Sequence, residues 1–336
     1  MKTELYTTAD IFEQLADEWD SLLDPSRSDN LFITNEWQRA WWEHLRWGDL
    51  SVVTVRDDDG ALRGIGSWFI TDDPDGSRVV RIVGCTDVTD YMDILAQPGY
   101  EDEVFRALLQ FMCSPEVPHW DRFSLCNIPG TSPTVERLPE IAREMGMNAE
   151  VRVQEVCPVV DLPDDYEAYL AMLDKKQRHE LRRKRRRAEG HGVDWYIVGP
   201  EHDLDEEIDA FLEMMANSSP EKAAFLEKPG HKEFFRAIGH IFFEKGMLEL
   251  IFLTVEGQRA AAMWQFAYHD RMLLYNSGLD PDAFAALSPG IVLLTYSVED
   301  AIQKNMEKYD FLRGDETYKY RMGAEDTNVY NISIAR

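Results

Sequence analysis

Hydrophobic patterning reads the same way twice along this chain, and a repeated order of elements restricts the fold more than any single motif. In the first half, LSVVTV (50–55), the turn RDDDG and ALRGIGSWFI (61–70) form a hairpin pattern. Strand-like runs SRVVRIVG (77–84) and YMDILA (91–96) follow, then the amphipathic EDEVFRALLQFM (101–112) and the strand-like WDRFSLCNI (120–128). In the second half, LELIFLTV (248–255), the turn EGQ and RAAAMWQFAYH (259–269) make another hairpin. RMLLYNSG (271–278), a helix over 288–305 and KYDFLRG (308–314) complete the order hairpin, strand, helix, strand. The closing strands also share an aromatic–Asp pair followed by Phe, at 120–123 and 309–311. The shared order predicts an α+β fold made by tandem duplication of one unit. At 336 residues the chain has the length for two such domains, 1–157 and 158–336, with the boundary in CPVVDLPDD (157–165).

Three helical segments lie between the halves. Asp164 and Glu167, just after Pro163, form a capping-box pattern that predicts a helix over about 164–190. LDEEIDAFLEMMANS (204–218) and HKEFFRAIGHIFFEKG (231–246) give two more. Nearer the start, Thr34 or Asn35 caps a helix on which Trp37, Trp41 and Leu45 recur at i, i+4, i+8.

Charge is distributed unevenly. The chain carries 62 acidic against 35 basic residues, net −27, yet nine Lys or Arg fall within 175–187. An acidic surface repels nucleic acid and anionic lipid except where the sign reverses locally. On a helix, Leu170, Leu173, Gln177, Leu181, Lys184 and Ala188 form a mainly apolar stripe that docks on the second domain. The remaining cations then admit three readings: a face paired with surplus acids, a funnel for anionic ligands, or a nucleic-acid surface. The first is the commonest fate of a charge run, so nucleic acid is not an expected partner.

Several chemistries find no motif. His179-Glu180 is followed by Arg183 rather than the second His of HExxH, and the eight histidines show no ligand spacing. Gly64 and Gly66 lie in a hairpin strand with Phe69 where a dinucleotide fingerprint needs Gly. Walker A and GxSxG patterns are absent. The reading is therefore of a metal-free protein. Four well-separated cysteines without a CxxC pair predict reduced thiols, and the acidic start (1–19) has no secretory apolar run, so the expected location is the cytoplasm. No eighteen-residue apolar stretch occurs, so no membrane span is expected.

The strongest local feature is YNSGLDPDAFAALSPGIVLL (275–294), where a strand runs through a loop into an apolar helix. Ser288 suits the N-cap, Pro289 the first helical position, and Gly290 lets a ligand approach the backbone. Free amides at such a terminus bind phosphate, although an ordinary capped helix has the same appearance.

Hairpin, strand, loop, small-residue helix N-terminus and strand together resemble the GNAT fold of N-acetyltransferases. SPGIVL (288–293) followed by YDFLRGDETYKYRMG (309–323) is similar to its tandem, CelD-like branch, related to Fem-type peptidyltransferases. FITNEWQRAWWEHL (32–45), DYMDILAQPGYED (90–102) and the basic segment carry the likeness over almost the whole chain. The stretch ALSPGIV (286–292) departs from the usual phosphate signature, with one Gly and no Arg or Gln at its head.

The resemblance implies acetyl-CoA or another acyl-CoA as co-substrate and an amine of a small metabolite or sugar as acceptor. It places the acyl donor on Tyr275, Asn276, Ser277, Ser288, Pro289, Gly290 and Ile291, with a backbone oxyanion donor among 275–277. Tyr318 is the implied acid for the leaving thiolate, with Glu316 or Asp315 as base. If YMDILA is a strand, Tyr91, Asp93 and Leu95 share a face. Asp93 is then a carboxylate at a core position, acting as base or ammonium ligand, or held in an ion pair with an arginine. Trp37, Asp90, Tyr91, Arg178 and Lys319 complete the expected substrate site. Two alternatives remain open: Fem-like aminoacyl transfer from charged tRNA, and a binding protein that kept the fold without catalysis.

Overall fold

The computed structural model describes residues 1–24, 26–85, 87–280 and 284–336. Pro25, Thr86 in the acidic segment, and residues 281–283, in the stretch expected to bind phosphate, lie outside them. The chain divides into two compact units, 1–155 with 328–336, and 156–327.

Unit 1 begins with β1 (Lys2–Tyr6), α1 (Asp10–Gln14), α2 (Ala16–Leu23) and α3 (Asn35–Leu45). The strands β2 (Asp49–Arg56), β3 (Leu62–Asp72), β4 (Arg78–Ile82) and β5 (Leu95–Ala96) follow. Then come α4 (Glu101–Met112), β6 (Arg122–Pro129), α5 (Pro133–Glu144) and the long β7 (Asn148–Asp161), which runs on into unit 2. Unit 2 holds α6 (Tyr166–Met172), α7 (Lys175–Glu189), β8 (Val193–Ile197), α8 (Leu204–Ser218), α9 (Pro220–Glu227) and α10 (His231–Glu244). It continues with β9 (Leu248–Val255), β10 (Gln258–Tyr268), β11 (Arg271–Leu279), α11 (Pro289–Gln303), β12 (Lys308–Asp310) and α12 (Thr317–Arg321). The last strand, β13 (Glu325–Ala335), carries the chain back to unit 1.

The duplication is explicit in the pairing. In unit 1, β2–β3 and β3–β4 are antiparallel, α4 crosses over, and β6 lies parallel to β4 with Val79 opposite Arg122. In unit 2, β9–β10 and β10–β11 are antiparallel, α11 crosses over, and β12 lies parallel to β11 with Met272 opposite Tyr309. Each hairpin also has an outer antiparallel strand, β1 on β2 and β8 on β9. Each closing strand has an antiparallel neighbour, β13 on β6 and β7 on β12. The structure thus gives 328–336 to unit 1, where the sequence reading had assigned the whole C-terminus to the second domain. Val329 opposite Pro129 and Ala335 opposite Arg122 hold it there.

Three local expectations need correction. The helix over 164–190 is two helices, because the Asp174 side chain accepts the N–H of Gln177 and starts α7 afresh. The stripe read for it is otherwise sound, with Leu170, Leu173, Leu181 and Ala188 buried in the unit 2 core. YMDILA is not a strand. The Met92 N–H goes to the Asn127 carbonyl and the Ile94 N–H to the Asp93 carboxylate, leaving only Leu95 and Ala96 to pair with β3. Finally, Cys85 and Cys126 are joined as a disulfide rather than reduced, because β6 brings Cys126 beside the turn that follows β4.

Candidate functional site

A single extra residue in β11 shapes the site. Between Trp264 opposite Asn276 and Gln265 opposite Leu274 the register slips, so Tyr275 has no counterpart on β10. Such a bulge bends a strand and re-aims its side chains. Tyr275 leans on Phe235 and Phe266, whereas Leu274 and Ser277 both face a cavity. β11 and β12 pair only over 271–273 and 308–310, so the end of β11 beyond Leu273 is released from its parallel neighbour. Gly278 lies in this released end because helix α8 passes directly over it. A Cβ there would stand 2.6 Å from the Met215 nitrogen.

The cavity measures about 370 Å³. Ala262, Met263, Leu274, Leu279, Ile291 and Leu294 give it apolar walls, and Ser277, Ser288, Gly290 and Tyr318 stand on its boundary. Its size and mixed lining fall in the range of small-molecule sites.

The N-terminus of α11 opens on this space. Ser288 adopts a left-handed backbone, φ 54°, and its hydroxyl does not cap the helix as the sequence suggests. It accepts instead from Lys184 Nζ on α7, at 2.6 Å. The first N–H groups of a helix have no intrahelical partner, and here the N-cap side chain does not take them. The turn therefore presents Gly290 and Ile291 amides, the positive end of a helix dipole and a lysine. The lysine beside this turn belongs to a different helix, α7. Arg185, next along α7, fixes the two helices by pairing with Glu299 at 2.6 Å and lying 4.4 Å over the Tyr296 ring.

At the other end, Tyr318 on α12 faces the cavity with its ring against Phe311. Burial, reinforced by the Glu316 charge, raises its phenol above the usual range, so it stays protonated at neutral pH. Glu316 is exposed and pairs with Lys319 at 2.9 Å. Lys222 on α9 donates to the Ser277 carbonyl at 2.5 Å and lies 3.5 Å from its hydroxyl. Burial depresses the ammonium to about 8 against the opposing pull of Glu316.

Of the residues expected to hold the donor, Ser277, Ser288, Pro289, Gly290 and Ile291 line the cavity. Tyr275 turns away, and Asn276 spends its side-chain oxygen on the Ser277 N–H, which removes that amide as an oxyanion donor. Lys319 does not reach for substrate. Its Nζ is spent on the carbonyls of Leu312, Arg313 and Gly314, at 3.2, 2.7 and 3.0 Å, besides Glu316. Arg178 reaches back to the Ala171 carbonyl and does not border the cavity.

The expected residues of unit 1 form no part of this pocket. Trp37 is wholly buried, bonding Thr89 through its indole N–H and packing edge-on against Phe32. Tyr91 packs on the same Phe32, and Asp90 is buried in the segment before it. Asp93 has no arginine. It accepts from the Thr134 hydroxyl at 2.6 Å and the Ile94 N–H at 2.8 Å, while Oδ2 has no partner. Burial raises its pKa against hydroxyls of Ser132, Thr134 and Ser28.

Sequence reasoning missed both lysines of the site. Lys184 was assigned to an apolar stripe, and α9, the helix that carries Lys222, was overlooked. Ser219-Pro220-Glu221 is nevertheless an N-terminus signature, and the Ser219 hydroxyl does cap α9 at the Lys222 N–H.

Residues 175–320 match the family model described as an acetyltransferase (GNAT) domain. The match lies within unit 2. No curated protein matches the chain at a significant level of similarity. Among solved structures, FemX superimposes with a TM-score of 0.67 at 11% identity, covering 99% of this chain and 97% of that one. L-PGS from Bacillus licheniformis gives 0.57 at 10% identity, with 95% and 91% covered. A tandem GNAT protein from the clavulanic acid biosynthesis pathway gives 0.52 at 12% identity, with 100% and 99% covered. These likenesses are to the fold alone, and they run over both units. Within the matched segment, the released end of β11 and the N-terminus of α11 are the two walls of the cavity. Among the described residues, no helix is long and apolar enough to cross a membrane.

Proposed function

We propose that the protein is an N-acyltransferase that moves an acyl group from acyl-CoA, acetyl-CoA in the simplest case, to a primary amine of a small metabolite or amino sugar. The observation that carries this reading is the cavity between the released end of β11 and the uncapped, lysine-flanked start of α11. An apolar trough ending in free amides and a cation fits a ligand with a long, weakly polar arm and an anionic phosphate head. The solved tandem GNAT structure named above is described as being without AcCoA, which associates that donor with the architecture.

In this reading Gly290 and Ile291 N–H groups and Lys184 hold the phosphates, and Ala262, Met263, Leu274 and Leu294 enclose the arm. The thioester then lies by Ser277 and Tyr318. Tyr318, protonated and with its hydroxyl unbonded among the described residues, gives its proton to the departing thiolate. Glu316 lies where it attracts the acceptor's ammonium group. Isothermal titration with acetyl-CoA, CoA and desulfo-CoA tests the reading. Micromolar binding at one site per chain supports it, and the absence of heat with all three overturns it.

A further inference from the structure

Lys222 does not itself line the cavity, but it is bonded to Ser277, which does, and neither the sequence motifs nor the phosphate end accounts for it. Its Nζ does not look to solvent. It is anchored on the carbonyl of Ser277, at the point where β11 has left β12 and lines the cavity. Glu316 is the one titratable group whose charge Lys222 feels among the described residues, and that carboxylate shares its charge with Lys319. The facing backbone of β11 contributes a carbonyl and the Ser277 hydroxyl, neither of which ionises.

We infer that Lys222 is the proton acceptor for the attacking amine, an assignment that rests on the acyl-transfer reading above. A neutral lysine retains two N–H bonds, one for the Ser277 carbonyl, and a lone pair for a proton. The depressed ammonium supplies that neutral form near neutral pH, which suits a general base. The step balances as follows. The acceptor nitrogen bonds the acyl carbon while the thioester C–S bond breaks. The proton lost by nitrogen goes to Lys222 Nζ, and the thiolate takes the Tyr318 proton. Lys222 then returns its proton, through solvent, to the Tyr318 phenolate.

A base placed to take that proton stands within reach of the acyl carbon and is itself a primary amine. Without an acceptor, Lys222 is the residue the donor should acylate. The test incubates the full-length protein with radiolabelled acetyl-CoA and no acceptor, from pH 6.5 to 9.5, and maps acetyl-lysine by mass spectrometry. Lys222 is expected to label at least about tenfold faster than the exposed Lys175 or Lys176. The rate should rise about tenfold per pH unit below 8 and level above it, because the neutral fraction does. Excess desulfo-CoA should suppress it. If acetyl-CoA binds by calorimetry yet Lys222 labels no faster than the exposed lysines, the inference fails while the donor site stands. If acetyl-CoA does not bind, the acyl-transfer reading falls and takes this assignment with it.

Discussion

Lys184 Nζ lies 2.6 Å from Ser288 Oγ, joining the basic helix α7 to the first turn of α11 across 104 positions of sequence. The contact gives the positive segment a definite place. Arg182, Arg183 and Arg185 are paired with Glu167, Glu180 and Glu299, so part of the charge run is a neutralised face. Lys184, which pairs only loosely with Glu180 at 3.7 Å, is bonded to Ser288 on the boundary of the cavity. Lys184→Gln should weaken CoA binding about fivefold, a helix-terminus effect of roughly 1 kcal/mol. The wild-type advantage should shrink as salt is raised, because such pairs are screened. Titration calorimetry at two ionic strengths measures both.

Gly290 has room for a side chain on one side only. A Cβ would meet Leu279 Cδ2 at 3.3 Å and then project into the cavity. Gly290→Phe should therefore remove measurable CoA binding while shifting the melting temperature by no more than about 3 °C, since surface-accessible changes are worth about 0.5 kcal/mol. Loss of the fold by circular dichroism would make the result a packing effect instead.

Tyr318→Phe keeps the ring on Phe311 and removes only the hydroxyl. Turnover should fall about a hundredfold, within the usual contribution of a positioned acid, while CoA affinity changes less than about threefold. Equal losses in both would make Tyr318 a binding residue.

The fold was legible where periodicity was strong. The two hairpins, α4, α11 and the strand after each helix were readable because apolar residues alternate or recur at helical spacing. Tyr275 in its bulge was not, since one extra residue changes no pattern in the sequence. Nor was the return of β13 to unit 1, because strand partners are set by contacts between distant segments. In the site, Ser288 to Ile291 and Tyr318 were readable from local motifs. Lys222 and Lys184 arrive from other helices, and only the packing of α9 on β11 and α7 on α11 reveals them. Trp37 and Asp93, expected in the substrate site, are instead buried in unit 1, each with a hydrogen bond to a neighbouring threonine hydroxyl.

Asp93 offers a stability test. Its carboxyl is pushed up by burial with no cation nearby, so the native state holds its proton more tightly than the unfolded chain. Its contribution is complete below the unfolded carboxylate value of about 4 and is lost as pH rises through the raised native value. Asp93→Asn should therefore raise the melting temperature at pH 7.5, with the gain shrinking toward pH 4. Scanning calorimetry across that range decides it, and a gain that grew on acidification would contradict the sign.

Tyr309 joins a buried network, its hydroxyl 2.5 Å from Gln265 Nε2 and 2.8 Å from Ser297 Oγ, tying β12, β10 and α11 together. Tyr309→Phe should cost about 1–2 kcal/mol in urea unfolding, because two buried groups each lose a partner. The Gly290 and Ile291 amides are untouched, so CoA affinity should not change.

The placement of β13 has a consequence for how the protein is made. Unit 1 is synthesised before unit 2, yet the strand that pairs with its β6 leaves the ribosome only after all of unit 2. The leading half of the polypeptide must wait, with one sheet edge bare, through translation of everything from 156 to 327. Its maturation is post-translational by topology, and a nascent chain stalled anywhere in unit 2 exposes an unfinished edge in the half already made.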